Sequence, residues 1–370
     1  MQVLAAVSRN GIVESSHLGY ICVANAQGEV IYSIGDPATL IYFRSSAKPI
    51  QCIPLVASGA AEHYGFSPQE IALACASHSG QLRHQELVQE MLKKIGLSLD
   101  YLRCGAKQPY NQGEAQKLAA RGAQPSPLHC SCSGKHAAML ALALYLGLDP
   151  DGYEKDEHPL QQVIIQVVSQ FTGIPKERIF RGIDGCGAPI YLVPVQAAAV
   201  AYARLVDPEV LQDPNLVNAA HSVTSAMAHF PEYVAGDGEF CTELMQATGG
   251  AVIAKIGAEG VYGIGLPKMG LGVAVKILDG RERAVYPVVV ELLRQLGAVG
   301  KKEVEVLKKW HRYPVKNNLG HQVGIVKGVF DLANPANTAG WPGTPLPDST
   351  GSHTLYSGMK KSTCRDRCLT

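Results

Sequence analysis

The 370-residue sequence lacks an excess of charge of either sign. Its 33 lysines and arginines face 32 aspartates and glutamates, for a net charge of +1. Without a basic surplus the chain lacks the cation density that phosphate backbones require, which argues against a dedicated nucleic-acid protein. It gives no reason to expect an anionic membrane surface as partner either. Long apolar runs are also missing. The longest, residues 137–146, is far short of the roughly 20 residues that a membrane span needs. Residues 1–11 hold no basic start and no apolar stretch of signal-peptide length. The expected location is therefore the cytoplasm, where thiols stay reduced. No internal repeat, heptad or Walker-type loop is present. The glycines between Gly263 and Gly272 lack the strand-then-helix context of a dinucleotide fingerprint.

What is there reads as a folded enzyme-sized chain. Hydrophobic residues make up 46% of it and charged ones 18%, which excludes global disorder. At about 150 residues per domain the length suggests two domains or one large one. Ten cysteines in a reducing compartment are either small core residues or ligands and nucleophiles.

The first 35 residues read as β structure, with apolar runs at 20–24 and 30–34 flanking a turn at 25–28. From about residue 45 to 230 the pattern is mostly helical. Ser67, Pro68 and Glu70 make a capping box with proline at the first helical position. Residues 84–95 have helical periodicity, Ser133 can cap a helix that Gly147 stops, and further helices are expected near 160–172, 189–206 and 215–229. Strands return at 251–256, 261–266 and 272–278, followed by a helix at 283–296. The expected fold is mixed α/β (α+β): an antiparallel sheet built from N- and C-terminal strands, about 1–40 and 250–330, with a helical lobe, about 41–249, inserted between them. Residues 333–370 are rich in proline and small polar residues, without apolar periodicity, and are expected to pack poorly.

Three short elements share an order along the chain. Ser45 and Lys48 form a Ser-x-x-Lys whose members share a face on a first helical turn. Serine is a poor nucleophile until a base takes its proton, and a desolvated lysine can be that base. Ser77 and Ser79 follow in residues 76–80, on a loop after an apolar helix, and Lys255 and Gly257 lie on a C-terminal strand. Each element alone is compatible with ordinary caps and solvated lysines. Their order within strands, inserted helices and strands parallels serine β-lactamases and penicillin-binding proteins.

A second cluster joins residues 130–136 to residues 182–189. Cys132 and His136 are four apart at a helix start, where the helix N-terminus favours a thiolate. Cys186 and Asp184 sit between glycines that let backbone approach a ligand closely. This soft-plus-hard donor set suits zinc. A catalytic Cys–His pair and inert core thiols remain the alternatives. His17 reads as a hydrogen-bonded structural histidine, and Cys22, Cys52, Cys75 and Cys241 read as core. The loop at 234–239 can be a lid or an ordinary turn. Cys364 and Cys368 are assigned nothing.

Taken together, residues 13–19, 44–51, 76–80, 132–136, 184–189 and 254–261 resemble the L-asparaginase II family, the rhizobial-type class, over about residues 3–325. The resemblance implies a fold related to serine β-lactamases and glutaminases, and a homodimer that hydrolyses L-asparagine to L-aspartate and ammonia. It implies Ser45 as nucleophile, Lys48 as its base, and Ser77 with Lys255 as a second Ser–Lys pair. It implies zinc on Cys132, Lys135 and Cys186, with Arg44, His136 and Asp184 at the substrate. Lysine as ligand differs from the residue-based preference for His136, since an amine binds zinc only when neutral. Two close lysines should depress each other's pKa and so supply a base near neutrality. The rivals are a glutaminase or β-lactam hydrolase on the same elements, and a zinc-stabilised binding protein without turnover.

Overall fold

The computed structural model describes residues 1–333. The expected loose tail, Ala333 apart, lies outside the described residues, as do Cys364 and Cys368. Among the described residues eleven strands are formed: β1 (Gln2–Arg9), β2 (Ile12–Asn25), β3 (Val30–Ile34), β4 (Leu40–Tyr42), β5 (Phe180–Ile183), β6 (Pro189–Pro194), β7 (Ile253–Gly257), β8 (Val261–Leu266), β9 (Leu271–Ile277), β10 (Tyr313–Lys316) and β11 (Gln322–Gly328). The chain is a mixed α/β fold. Its main sheet runs β10-β11-β1-β2-β9-β8-β7, with β3 also on β2, and every pairing is antiparallel. N-terminal and C-terminal strands thus share one sheet, and most of the helices lie between β3 and β7 in sequence. The expected hairpin forms, with Ile21 opposite Ile34 and Ala24 opposite Val30. Among the described residues no helix is long and apolar enough to cross a membrane.

The glycines between Gly263 and Gly272 have a packing role. The Val195–Val206 helix lies against β2, β8 and β9. A Cβ at Gly272 would stand 2.1 Å from the Ala199 carbonyl oxygen, and one at Gly263 would stand 2.0 Å from the Tyr202 ring. Only hydrogen fits at that approach. Every residue of β8 is buried, so this part of the sheet is covered on both faces and reads as a continuous apolar run rather than an alternation.

Two local expectations are corrected. Residues 189–206 are not one helix. Residues 189–194 form β6, paired with β4 and β5 in a separate three-stranded sheet, and the helix begins at Val195. The run Ile190, Tyr191, Leu192 and Val193 favours a strand when distant edges are present to pair with it, and the partner β4 lies some 150 positions earlier in sequence. Ser133 is not a cap but the first residue of its helix, Ser133–Tyr145. Its hydroxyl instead donates to the Leu128 carbonyl and meets His78 Nε2 at 2.9 Å. The capping box at Ser67 is as read: Glu70 N–H donates to Ser67 Oγ, and Ser67 N–H to the Glu70 carboxylate at 2.6 Å.

Candidate active site

The site begins where β4 ends. Arg44 has φ +50°, a left-handed conformation that costs a non-glycine residue energy and is held only when surroundings enforce it. Its guanidinium donates to Asp184 at 2.9 Å, tying this turn to the glycine-rich loop 140 positions on. Ser45 follows in a short 3-10 turn, and Lys48 and Pro49 open the Lys48–Ala57 helix. The next carbonyl along, Ser46 C=O, accepts from the Tyr202 hydroxyl at 2.7 Å, which fixes the turn to the helix that covers the sheet.

Opposite this turn runs the segment Ser77–Gly80, pinned by backbone bonds: Ser77 N–H to Val234 C=O, His78 N–H to Ser131 C=O, and Ser79 N–H to Ala235 C=O. Gly80 has φ +78°, and a Cβ there would meet Pro109 at 2.7 Å. His78 is fully buried between Ser133 and the stacked ring of His84. Burial, then the neighbouring His84, pushes its pKa well below the usual imidazole value, so it serves as a neutral strut.

β7 supplies the third side. Lys255 is 1% exposed, and its amine donates to Ser77 Oγ at 2.7 Å and to Ile256 C=O at 2.8 Å. Lys48, also 1% exposed, donates to the same Ser77 Oγ at 3.0 Å, to Ala76 C=O at 2.5 Å and to Cys132 Sγ at 3.2 Å. Burial, then the Lys48 charge, lowers the Lys255 pKa to about 7, so a neutral amine is available near neutrality. Gly257 explains the Lys-x-Gly spacing. A Cβ there would lie 3.2 Å from Phe43 C=O and from Ser46 N, so glycine lets β7 close against the Ser45 turn.

Behind Lys48 lie the thiols. Cys132 precedes the first turn of the Ser133–Tyr145 helix, and Lys135 Nζ stands 3.3 Å from Cys186 Sγ. The Cys132 thiol is pulled well below its ordinary range by bonds from the Cys130 and Cys186 thiols and by Lys48 and Lys135, against the effect of burial. Burial opposes the charge of Lys135, yet the sulfurs of Cys186 and Cys132 and the Asp184 carboxylate outweigh it and raise its pKa. His136 is fully buried. Its Nδ1 meets the Tyr153 hydroxyl at 2.7 Å, whereas its Nε2 has no partner. Among the described residues no group of three or more His, Cys, Asp or Glu side chains is placed to hold a metal ion. A metal at this cluster would need Lys135 as a ligand, beside Cys132 and Cys186.

A cleft of about 310 Å³ opens above the serines, lined by Ser45, Ser77, Ser79, Tyr110, Ser131, Glu239, residues 256–258, Glu282 and Tyr286. Ser45 and Ser77 are both half-buried at its wall. The structure therefore brings Ser45, Lys48, Ser77 and Lys255 to one place, and Cys132, Lys135 and Cys186 to the place behind it. Lys48, however, bonds Ser77 rather than Ser45. Arg44, Asp184 and His136 are not among the cleft's lining residues; the first two pair with each other. Ser131, Tyr110, Glu239, Glu282 and Tyr286 carry no sequence motif that marks them for substrate contact. The nearest signal was the loop at 234–239, which the cleft uses through Glu239. His17 is a structural histidine, 3% exposed and bonded through Nδ1 to Asp279 at 2.7 Å. Cys22, Cys52, Cys75 and Cys241 are buried free thiols.

A family model described as L-asparaginase II matches residues 5–328. No curated protein matches the chain. Among solved structures, the native form of Mglu is similar at 16% identity and a TM-score of 0.42, covering 75% of this chain; the chain spans 64% of that protein's length. A β-lactamase from Mycobacterium bovis is similar at 13% identity and a TM-score of 0.39, with 76% of this chain and 95% of that one covered.

Proposed function

Because the chain belongs to the L-asparaginase II family and is thus a hydrolase of amide C–N bonds, we propose that its cleft converts L-asparagine to L-aspartate and ammonia by serine–lysine chemistry. The observation that carries this reading is the chain of bonds Lys48–Ser77–Lys255 on the floor of a cleft that Ser45 also lines. Two buried amines on one hydroxyl, one of them with a pKa near 7, are costly to bury as charges, and such arrangements concentrate at functional sites.

In this reading Ser45 Oγ bonds to the side-chain amide carbon. As it attacks, its proton passes to Lys48, Lys48 hands one to Ser77, and Ser77 passes its own to Lys255. The relay then runs in reverse: the departing nitrogen takes a proton from Ser77 as the C–N bond breaks, and leaves as ammonia. Water adds to the resulting aspartyl ester, its proton entering the same relay, and the Ser45 ester bond breaks with return of a proton to Oγ. The left-handed backbone at Arg44 aims Ser45 into the cleft, and Gly257 allows Lys255 to approach. One observation favours a second reading, in which Ser77 itself is the nucleophile: both lysine amines contact Ser77 Oγ, and among the described hydrogen bonds neither contacts Ser45.

Cys132, Cys186 and Lys135 are the residues that would hold a zinc ion. The donor set supports the fit: a thiol already drawn towards thiolate, a second thiol and an amine converge. A metal would have to displace the Lys135 proton that the sulfurs now hold. Bound there, zinc would supply positive charge for a substrate carboxylate. In this proposal the enzyme is a homodimer, as the family resemblance implies, and acts in the cytoplasm, as the residue pattern leads one to expect.

The test is ammonia release from L-asparagine, L-glutamine and a chromogenic β-lactam in parallel. Turnover of asparagine above the other two supports the proposal. Preference for glutamine or the lactam moves the function to a rival amidohydrolase, and binding without product leaves a non-catalytic protein.

A further inference from the structure

Ser79 carries a cleft hydroxyl that the relay does not use. It is 2% exposed and lines the cleft, and its Oγ has no hydrogen-bond partner. Its backbone is fixed at both ends, N–H to Ala235 C=O at 2.7 Å and C=O to Asn111 N–H at 2.8 Å. The backbone that carries the hydroxyl is therefore held in place. Room for the hydroxyl is kept by Gly236, where a Cβ would stand 2.1 Å from Ser79 Oγ. A buried polar group without a partner carries an unrelieved desolvation penalty, which a ligand in the cleft would remove.

The same cleft carries two carboxylates and no cation on its wall. Glu239 is half-buried, and among the described residues its carboxylate takes part in no hydrogen bond or ion pair. Burial, then Glu282 and Glu243, raises its pKa. Glu243 is already engaged by Lys309 and Trp310, and Glu282 accepts from the Tyr286 hydroxyl at 3.0 Å. Glu239 is thus an uncompensated carboxylate facing the space where a substrate lies. The lysine amines are on the floor below, bonded to Ser77.

Resting on the amidohydrolase reading above, we propose that Ser79 Oγ and the Glu239 carboxylate bind the free α-ammonium group of the amino-acid substrate. The ammonium donates to the orphaned hydroxyl and supplies the counter-charge that Glu239 lacks. The side-chain amide then points at the serines, and the substrate class is restricted to free amino acids. An amide whose α-nitrogen is acylated, or absent, leaves both groups unpaired, and such sites discriminate strongly against the analogue.

The experiment uses the full chain as wild type, Glu239→Gln and Ser79→Ala. L-asparagine and succinamate, the same amide without the amino group, are compared by ammonia release and by calorimetric titration. In the wild type, L-asparagine should bind at least tenfold more tightly than succinamate. In Glu239→Gln the ratio of kcat/KM for L-asparagine over succinamate should fall at least tenfold, through KM. Ser79→Ala should lower it less. Equal binding of the two compounds by wild type, or an unchanged ratio in Glu239→Gln, overturns the inference. Wild-type protein that binds L-asparagine selectively but releases no ammonia supports this site and contradicts the hydrolase reading instead.

Discussion

Lys255 Nζ donates to Ser77 Oγ at 2.7 Å from a strand that enters the sequence 178 positions after the serine. Desolvation and the second amine, Lys48, hold Lys255 near a pKa of 7, whereas an ordinary lysine titrates near 10.4. Below its folded pKa the amine is charged and cannot accept a proton. Log kcat/KM for L-asparagine should therefore rise with pH up to about 7 and then level. Lys255→Arg, whose guanidinium stays charged, should lose at least about 10²-fold in kcat. An acid limb that survives in the arginine variant would assign the titration to another group.

The same shift fixes the sign of a stability effect. Between pH 7 and the unfolded value the unfolded state binds more protons at Lys255 than the folded state does. Stability from this residue is therefore lowest at acid pH and rises through that window. Lys255→Met should remove the dependence and raise the midpoint of thermal unfolding at pH 6, with activity lost. A lower midpoint at pH 6 would show that the amine's hydrogen bonds outweigh its desolvation.

The nucleophile is read directly from a trapped intermediate. With L-asparagine and rapid acid quench, intact mass should show an added aspartyl group, and peptide mapping should place it on Ser45. Its appearance on Ser77 would establish the second reading, in which the serine contacted by both lysines does the attack.

Metal content tests the thiol cluster. Protein purified without chelator should carry about one zinc per chain. Cys186→Ala should lose it, and a fall in turnover by the same preparation would tie the ion to substrate binding. Loss of metal with unchanged turnover would make the site structural.

At the far end of the sheet, Glu291 accepts from Arg294, Gln295 and His311. Burial alone would raise its pKa, but these partners, His311 first, bring it to about 2. The stability it contributes is present above the unfolded carboxylate range and is lost as pH falls from about 4.5 towards 2. Acid unfolding of Glu291→Gln, followed by circular dichroism, should begin at higher pH than in wild type.

Much of this was legible in local sequence. The capping box at Ser67, the hairpin across residues 25–28 and the Ser-x-x-Lys at Ser45 each depend on neighbours within a few positions, and their residue types state the interaction. Residues 189–194 are of the opposite kind, because β6 exists only through β4 and β5, which the chain brings from elsewhere. Lys48 shows the same limit within the site. Its spacing places it one turn from Ser45, but Ala76 C=O, Ser77 Oγ and Cys132 Sγ lie together on the other side and take its three donors. Ser79 lies in the serine element at 76–80 and Glu239 in the loop at 234–239, but that their side-chain polar atoms lack partners among the described residues is defined only by their surroundings.

The most direct measurement is steady-state ammonia release from L-asparagine by wild type, Ser45→Ala and Ser77→Ala, with thermal unfolding confirming that each variant is folded. The account predicts turnover by the wild type and losses of about 10³-fold or more in both variants. Full activity in Ser77→Ala, with the Lys48–Ser77–Lys255 relay broken, would contradict it.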